Sequence, residues 1–268
     1  MKKFSFTFAF LAVLFFCGCK KSSVEASNEA TTEPTQNLYY GSVYLFDQGD
    51  RSVDQSGMTV SIENSNPVVS AVTVKYGKFG GFSLPIDPAL QSFALVYSKP
   101  QFGTFKRYYT RSASGELYMI EFNGTKNKAQ GSLEYLGSKS TVTINSFNVA
   151  IVDGKLRYTS NISSPDTSEK MIRVIYQKDL PDISINNVDY NKVYWSFYLR
   201  VKNGDNVTDH CLACSMECAG WKKGDTIYFN AYGDAYYPSA YTDVSSKKYI
   251  LPNMNLNNNL TPVSVVIP

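Results

Sequence analysis

The feature that most constrains this chain is a short apolar–polar alternation that recurs about every ten residues and is closed each time by turn formers. Met58-Thr59-Val60-Ser61-Ile62 is the clearest instance. Alternate side chains of a strand point to opposite faces, so this pattern places one face in a core and the other in solvent. Leu38 to Phe46, Val68 to Val74, Gly81 to Leu84, Phe93 to Tyr97, Glu116 to Phe122 and Gln130 to Leu136 repeat the theme, punctuated by Asp47-Gln48-Gly49-Asp50 and Ser98-Lys99-Pro100. No long segment sustains a 3.6-residue period. A chain of this kind is predicted to fold all-β, as packed sandwiches. The 20 Tyr and 16 Phe among its residues agree with strands rather than helices.

From Ser140 the pattern starts afresh. Val142 to Ile151 and Lys155 to Ile162 flank Asp153-Gly154, a hairpin turn pair. Met171 to Tyr176, Val193 to Val201, Asp225 to Tyr232, Lys247 to Leu251 and Val263 to Ile267 are further strand candidates. Two tandem β-sandwich domains are therefore expected, over 38–137 and 138–268. The second reads as immunoglobulin-like or fibronectin III-like from strand number alone. In the Tyr228–Tyr241 stretch, period two sends Ile227, Phe229 and Ala231 inward and Tyr228, Asn230 and Tyr232 outward.

Within the first domain, Tyr40-Gly41-Ser42-Val43, Ser56-Gly57-Met58-Thr59-Val60-Ser61-Ile62, Gly80-Gly81-Phe82-Ser83-Leu84 and Tyr97-Ser98-Lys99-Pro100-Gln101-Phe102-Gly103 follow in order. Over residues 38–110 this series resembles the carboxypeptidase regulatory-like domain. The resemblance implies a transthyretin-like, seven-stranded sandwich. The chain departs from that family's pattern at Gln101 and in Ala71 to Gly77.

The N-terminus has a different composition. Met1-Lys2-Lys3 precedes an apolar run from Phe4 to Phe16, too short to span a bilayer comfortably but laid out as an export signal. Phe16-Cys17-Gly18-Cys19 resembles the lipobox of bacterial lipoproteins, which implies cleavage after Gly18 and a covalent lipid on Cys19. Cleavage before Cys17 would put bulky Phe16 where a small residue is needed. Residues 20–37 are rich in Ser, Thr, Glu and Asn and hold only Val24 as a large apolar side chain, so they are expected to form a flexible tether. Lys20 stands where an inner-membrane retention Asp would stand, which leans towards the outer membrane. Loss of residues 1–18 takes Lys2 and Lys3 and no acid, leaving 24 basic and 23 acidic residues. The basic balance thus belongs largely to the export signal and argues nothing for nucleic acid, and no nucleic-acid partner is expected.

Little catalytic equipment is visible. His210 is the only histidine, so a Ser-His-Asp or Cys-His site depends on one residue and a three-histidine zinc centre is excluded. No phosphate-binding loop, G-x-S-x-G or H-E-x-x-H motif occurs. The one dense cluster of reactive groups is His210, Cys211, Cys214 and Cys218, with Met216 beside them. In an exported chain two of the three cysteines form a disulfide by default, leaving one thiol over. Buried thiols are a second reading, and a zinc or copper site a third. Tyr236, Tyr237 and Tyr241 are candidate ligand-binding aromatics on a predicted surface loop. Asp47, Asp50, Asp54, Asp182 and Asp189 lack calcium-loop spacing and read as turn caps. The expected function is a non-catalytic envelope lipoprotein that binds or scaffolds a protein or polysaccharide. It carries no cofactor beyond the lipid and is membrane-bound through Cys19, with a metal or redox role as the alternative.

Overall fold

Ten strands build the first half of the computed structural model, which describes residues 38–121, 124–129, 131–190, 195–257 and 260–268. The export signal, Cys19 and the tether lie outside the described residues. The strands are β1 (Leu38–Phe46), β2 (Thr59–Ile62), β3 (Ser70–Val72), β4 (Val74–Tyr76), β5 (Phe79–Pro85), β6 (Ser92–Ser98), β7 (Phe105–Arg111), β8 (Leu117–Ile120), β9 (Lys126–Lys128) and β10 (Leu133–Gly137). One sheet has the order β10-β1-β5-β4 and the other β3-β2-β6-β7-β8-β9. Only the β1–β10 pair is parallel among these pairings. Val43, Leu45, Phe82 and Leu84 from the first sheet meet Val60, Leu95, Tyr97 and Phe105 from the second in one core. The architecture is a sandwich of ten strands, of which seven, β1 to β7, fall within the span of the regulatory-domain resemblance, and β8, β9 and β10 follow it. The strand β7 (Phe105–Arg111) escapes the sequence pattern because a charged residue, Arg107, stands at an inward position between buried Phe105 and Tyr109; it is held there by a bidentate pair with Glu134 at 2.9 and 2.6 Å.

The second half contributes β11 (Thr143–Val152), β12 (Lys155–Ser163), β13 (Lys170–Lys178), β14 (Ser196–Val201), β15 (Gly204–Cys211), the helix α1 (Leu212–Ala219), β16 (Thr226–Asp234), β17 (Tyr241–Thr242), β18 (Tyr249–Ile250) and β19 (Val263–Val266). Asp153 and Gly154 turn β11 into β12 with φ of 50° and 71°, the doubly positive geometry of a tight hairpin. The sheets β11-β12-β15 and β14-β13-β16-β19 enclose a second core around Val149, Leu156, Ile172, Val174, Ile227 and Phe229.

A third core lies on the opposite face of β13 and β16. There Ile175 and Tyr232 pack with Ile183, Val188, Leu251 and Met254. Both faces of this sheet are covered, which explains why Met171-Ile172-Arg173-Val174-Ile175 reads as a continuous run instead of an alternation. It also corrects the reading of Asn230 and Tyr232. They leave the second core as expected, yet they are buried beneath the 179–190 loop, where the Asn230 side chain donates to the Ile183 carbonyl at 3.0 Å.

One charged pair sits inside this layer. Arg173 Nε donates to Asp234 at 2.7 Å, and its Nη1 donates to Ser196 at 2.8 Å. The guanidinium lies 4.2 Å from the Tyr198 ring centre. Asp234 also accepts the Ala235 N–H at 2.8 Å.

The segment after Asp234 crosses to the first sandwich. The Tyr236 N–H donates to the Gln48 carbonyl at 3.0 Å, and the Gly137 N–H to the Tyr237 carbonyl at 3.2 Å. The β17–β18 hairpin adds Tyr241 and Ile250 to the first core, and Tyr108 donates to Asp243 at 2.8 Å. Gly103 and Gly137 allow this approach. A Cβ on Gly103 would collide with the Pro252 backbone, and one on Gly137 would come within 2.8 Å of the Tyr237 carbonyl.

Breaking a buried ion pair from one side strands the other charge, at a cost of about 3–5 kcal/mol. Arg173→Leu is expected to lose stability of that order in denaturant unfolding, whereas Arg173→Leu with Asp234→Leu recovers part of it. An Arg173→Leu protein as stable as the parent would show that the pair is dispensable.

Candidate ligand-binding face

The outer face of the β10-β1-β5-β4 sheet carries a row of aromatic rings that no core uses. In β1, Tyr39, Val43 and Leu45 point inward, so Tyr40, Tyr44 and Phe46 point outward. Register then aligns four strands. Tyr76 pairs with Phe79, the Val43–Gly80 pair sets Tyr44 next to Phe79, and Tyr44 pairs with Tyr135. Ring centres are 5.6 Å apart for Tyr44 and Phe79 and 5.9 Å for Tyr44 and Tyr135. Tyr76 is 78% exposed and Tyr135 49%. The outward neighbours Ser42, Gly81 and Ser83 are small, while Val74, paired with Gly81 on the edge strand, is apolar and 67% exposed beside the row.

The crossing segment prolongs the row. Tyr237 stacks on Phe46 at 3.9 Å and lies 6.1 Å from Tyr135, and Tyr236 follows at 5.0 Å from Tyr237. Desolvation raises the Tyr237 hydroxyl above its ordinary range, with Tyr236 and Asp50 adding to the effect, so it stays a neutral donor. Beyond Tyr236 the surface turns polar. Arg200 lies over the Tyr236 ring at 5.4 Å, donates to its hydroxyl at 3.3 Å and pairs with Glu169 at 3.3 Å. A cleft of about 160 Å³ opens there between Asp47, Asp50, Arg51, Glu169, Lys170 and Arg200.

Of the three tyrosines singled out by sequence, the structure brings Tyr236 and Tyr237 to this row. Their segment is half-buried, not a free surface loop. Tyr241 lies elsewhere, in the first core, with its ring 5.8 Å from Phe105. Tyr44, Phe46, Tyr76, Phe79 and Tyr135 were missed, because Val43-Tyr44-Leu45-Phe46 is apolar at every position and does not mark its outward side. Asp47 and Asp54 cap turns, accepting the Gly49 N–H at 2.8 Å and the Ser56 N–H at 3.1 Å.

The cysteine cluster occupies the other sandwich. It lies where β15 runs into α1. Cys211 caps the helix, its Sγ accepting the Cys214 N–H at 3.2 Å, and the same two residues form a disulfide with Cα atoms 5.3 Å apart. Cys218 is an exposed free thiol. His210 sits 5.1 Å from the rings of both Tyr158 and Phe197, at the edge of a cleft of about 480 Å³ that Trp221 also lines. Among the described residues no group of three or more His, Cys, Asp or Glu side chains is arranged to hold a metal ion.

No family model matches the chain, and no curated protein matches it. Solved structures to which the chain shows a distant similarity include a Bacteroides uniformis protein put forward as carbohydrate-binding. It is 9% identical, with 85% of this chain and 99% of that one covered and a TM-score of 0.29. DUF3823 family proteins from Parabacteroides merdae (10% identity, 75% and 93% covered, TM-score 0.26) and Bacteroides ovatus (8%, 86% and 100%, 0.26) are similar to the same degree. Values this low carry nothing about a ligand.

Burial lowers the His210 pKa below its ordinary value. The unfolded chain therefore takes up a proton at a higher pH than the folded one, and stability is lost as pH falls below about 6.5. The drop in melting temperature between pH 7.5 and pH 5 is expected to shrink in His210→Gln; an unchanged drop would mean that the imidazole is not desolvated.

Proposed function

We propose that this chain is a non-catalytic, lipid-anchored cell-envelope protein that binds an extended glycan across the outer face of the β10-β1-β5-β4 sheet. The row of rings from Tyr76 through Phe79, Tyr44 and Tyr135 to Tyr237 carries the reading. Aromatic faces take the C–H faces of sugar rings while tyrosine hydroxyls remain available at the rim. Four strands at about 4.8 Å spacing give the row a length of about 14 Å. That outline suits a linear chain better than a protein partner, whose footprint is about 800 Å² a side around an apolar centre.

The non-catalytic part of the proposal is supported by His210, the sole histidine, being wedged between two rings and distant in sequence from the row. Anchoring rests on the lipobox-like Phe16-Cys17-Gly18-Cys19. Acyl chains contribute about 0.8 kcal/mol per buried CH₂, so a multiply acylated Cys19 holds firmly.

Two measurements test these parts separately. On a glycan array and then by titration, Tyr135→Ala is expected to weaken binding about tenfold, or about 1.4 kcal/mol. Its melting temperature should barely change, because the side chain is exposed. A folded protein that binds no glycan would turn the assignment to a protein partner. Cys19→Ser is expected to move the protein from the membrane to the soluble fraction after cell lysis; unchanged membrane partition would overturn the anchor.

A further inference from the structure

The aromatic row does not end in open solvent. It runs into the cleft beside Tyr236, whose volume of about 160 Å³ is that of a pocket for one sugar ring, not for a chain passing through. Its walls carry planar, fork-shaped groups. Arg200 contacts Tyr236 and Glu169, and Arg51 pairs with Asp47 at 2.9 Å. Guanidinium N–H groups donate and carboxylates accept, so these walls can meet sugar hydroxyls in both senses.

Charge narrows the ligand further. Each cation at the cleft already has an anion: Arg51 has Asp47, Arg200 has Glu169, and the buried Lys170 has Asp166 at 2.7 Å. Asp50 has no hydrogen-bond or ion-pair partner among the described residues. The cleft therefore offers a spare carboxylate and no spare cation. A carboxylated or sulfated sugar would meet repulsion there, whereas a neutral sugar could donate hydroxyls to Asp50 and Glu169 and accept from Arg200.

We infer that the cleft between Asp50, Glu169 and Arg200 is a terminal subsite for one neutral sugar ring, so that the protein holds glycan chains by an end, with the aromatic row stacking the residues that follow. This rests on the glycan reading of the row and adds to it the orientation of the chain and the neutrality of its end.

The experiment uses the mature protein and a panel of linear neutral hexasaccharides (cello-, xylo-, manno- and maltohexaose) with oligogalacturonate as the anionic counterpart. Calorimetry is run on the parent, Asp50→Asn, Arg200→Ala and Tyr135→Ala. For the neutral sugar that binds, Asp50→Asn and Arg200→Ala are each expected to weaken affinity at least fivefold. On a long polymer of the same sugar the stoichiometry should stay near one protein per chain end whatever the length. Stoichiometry that grows with polymer length, full affinity in both cleft variants, or preference for oligogalacturonate would overturn the terminal subsite while leaving the row intact. Unchanged binding in Tyr135→Ala, or no binding by any of the sugars, would remove the row and the subsite together.

Discussion

The Arg173–Asp234 pair is the contact on which the arrangement of the binding face depends. Asp234 closes β16, and the next three residues carry the chain from one sandwich to the other. One carboxylate oxygen is held by Arg173 and the other accepts the Ala235 N–H. The direction in which Tyr236 and Tyr237 leave the sheet is thus set by a charge buried in the third core. An ion pair here adds little net stability compared with packed apolar side chains. What it adds is a single geometry, because no other described cation lies within ion-pairing distance of Asp234.

Burial of the β14-β13-β16-β19 sheet on both faces makes that pair necessary. A sheet with one solvated face can leave its outward polar groups to water. Here the 179–190 loop and the 249–254 segment cover the outward face, so Arg173, Asn230 and Asp234 each need a partner within the protein. The same covering brings the β17–β18 hairpin against the first sandwich, where Tyr241 fills the core and Asp243 meets Tyr108. The two sandwiches are therefore joined by a packed segment, and a surface spanning both can keep fixed geometry. Tyr237 lying on Phe46 is the direct result.

The sequence made the strands legible wherever one face was buried and the other wet. Leu38–Phe46 was read to the residue, and Asp153-Gly154 marked its hairpin. Legibility failed where a tertiary contact replaced the pattern. Arg107 hid β7 because its charge, at an inward position, is answered inside by Glu134. Asn230 and Tyr232 looked solvent-facing because nothing local announces a loop folded over them. The candidate face divides in the same way. Period two puts Tyr44 and Phe46 on one side of β1, but Val43-Tyr44-Leu45-Phe46 is apolar on both sides, so which side faces outward, and the alignment with Phe79 and Tyr135, need strand order, including a parallel β1–β10 pair joined through most of the domain. Asp50, Glu169 and Arg200 lie far apart in the chain and meet only in the folded structure, so no local signal could have grouped them.

The rings of the face are also partners of one another, which bears on how they can act. Tyr44 touches Phe46, Phe79 and Tyr135, and Tyr237 touches Phe46, Tyr135 and Tyr236. Each ring has few rotatable bonds, and these contacts restrict them before any ligand arrives. Ordering side chains at an interface costs about 0.5–1.5 kcal/mol each when they start free. Rings already held by their neighbours avoid most of that cost, so more of the stacking energy appears as affinity. Phe46 shows the division of labour. It is too buried to touch a ligand, yet by supporting Tyr237 it fixes the height of the ring that joins the sheet to the crossing segment.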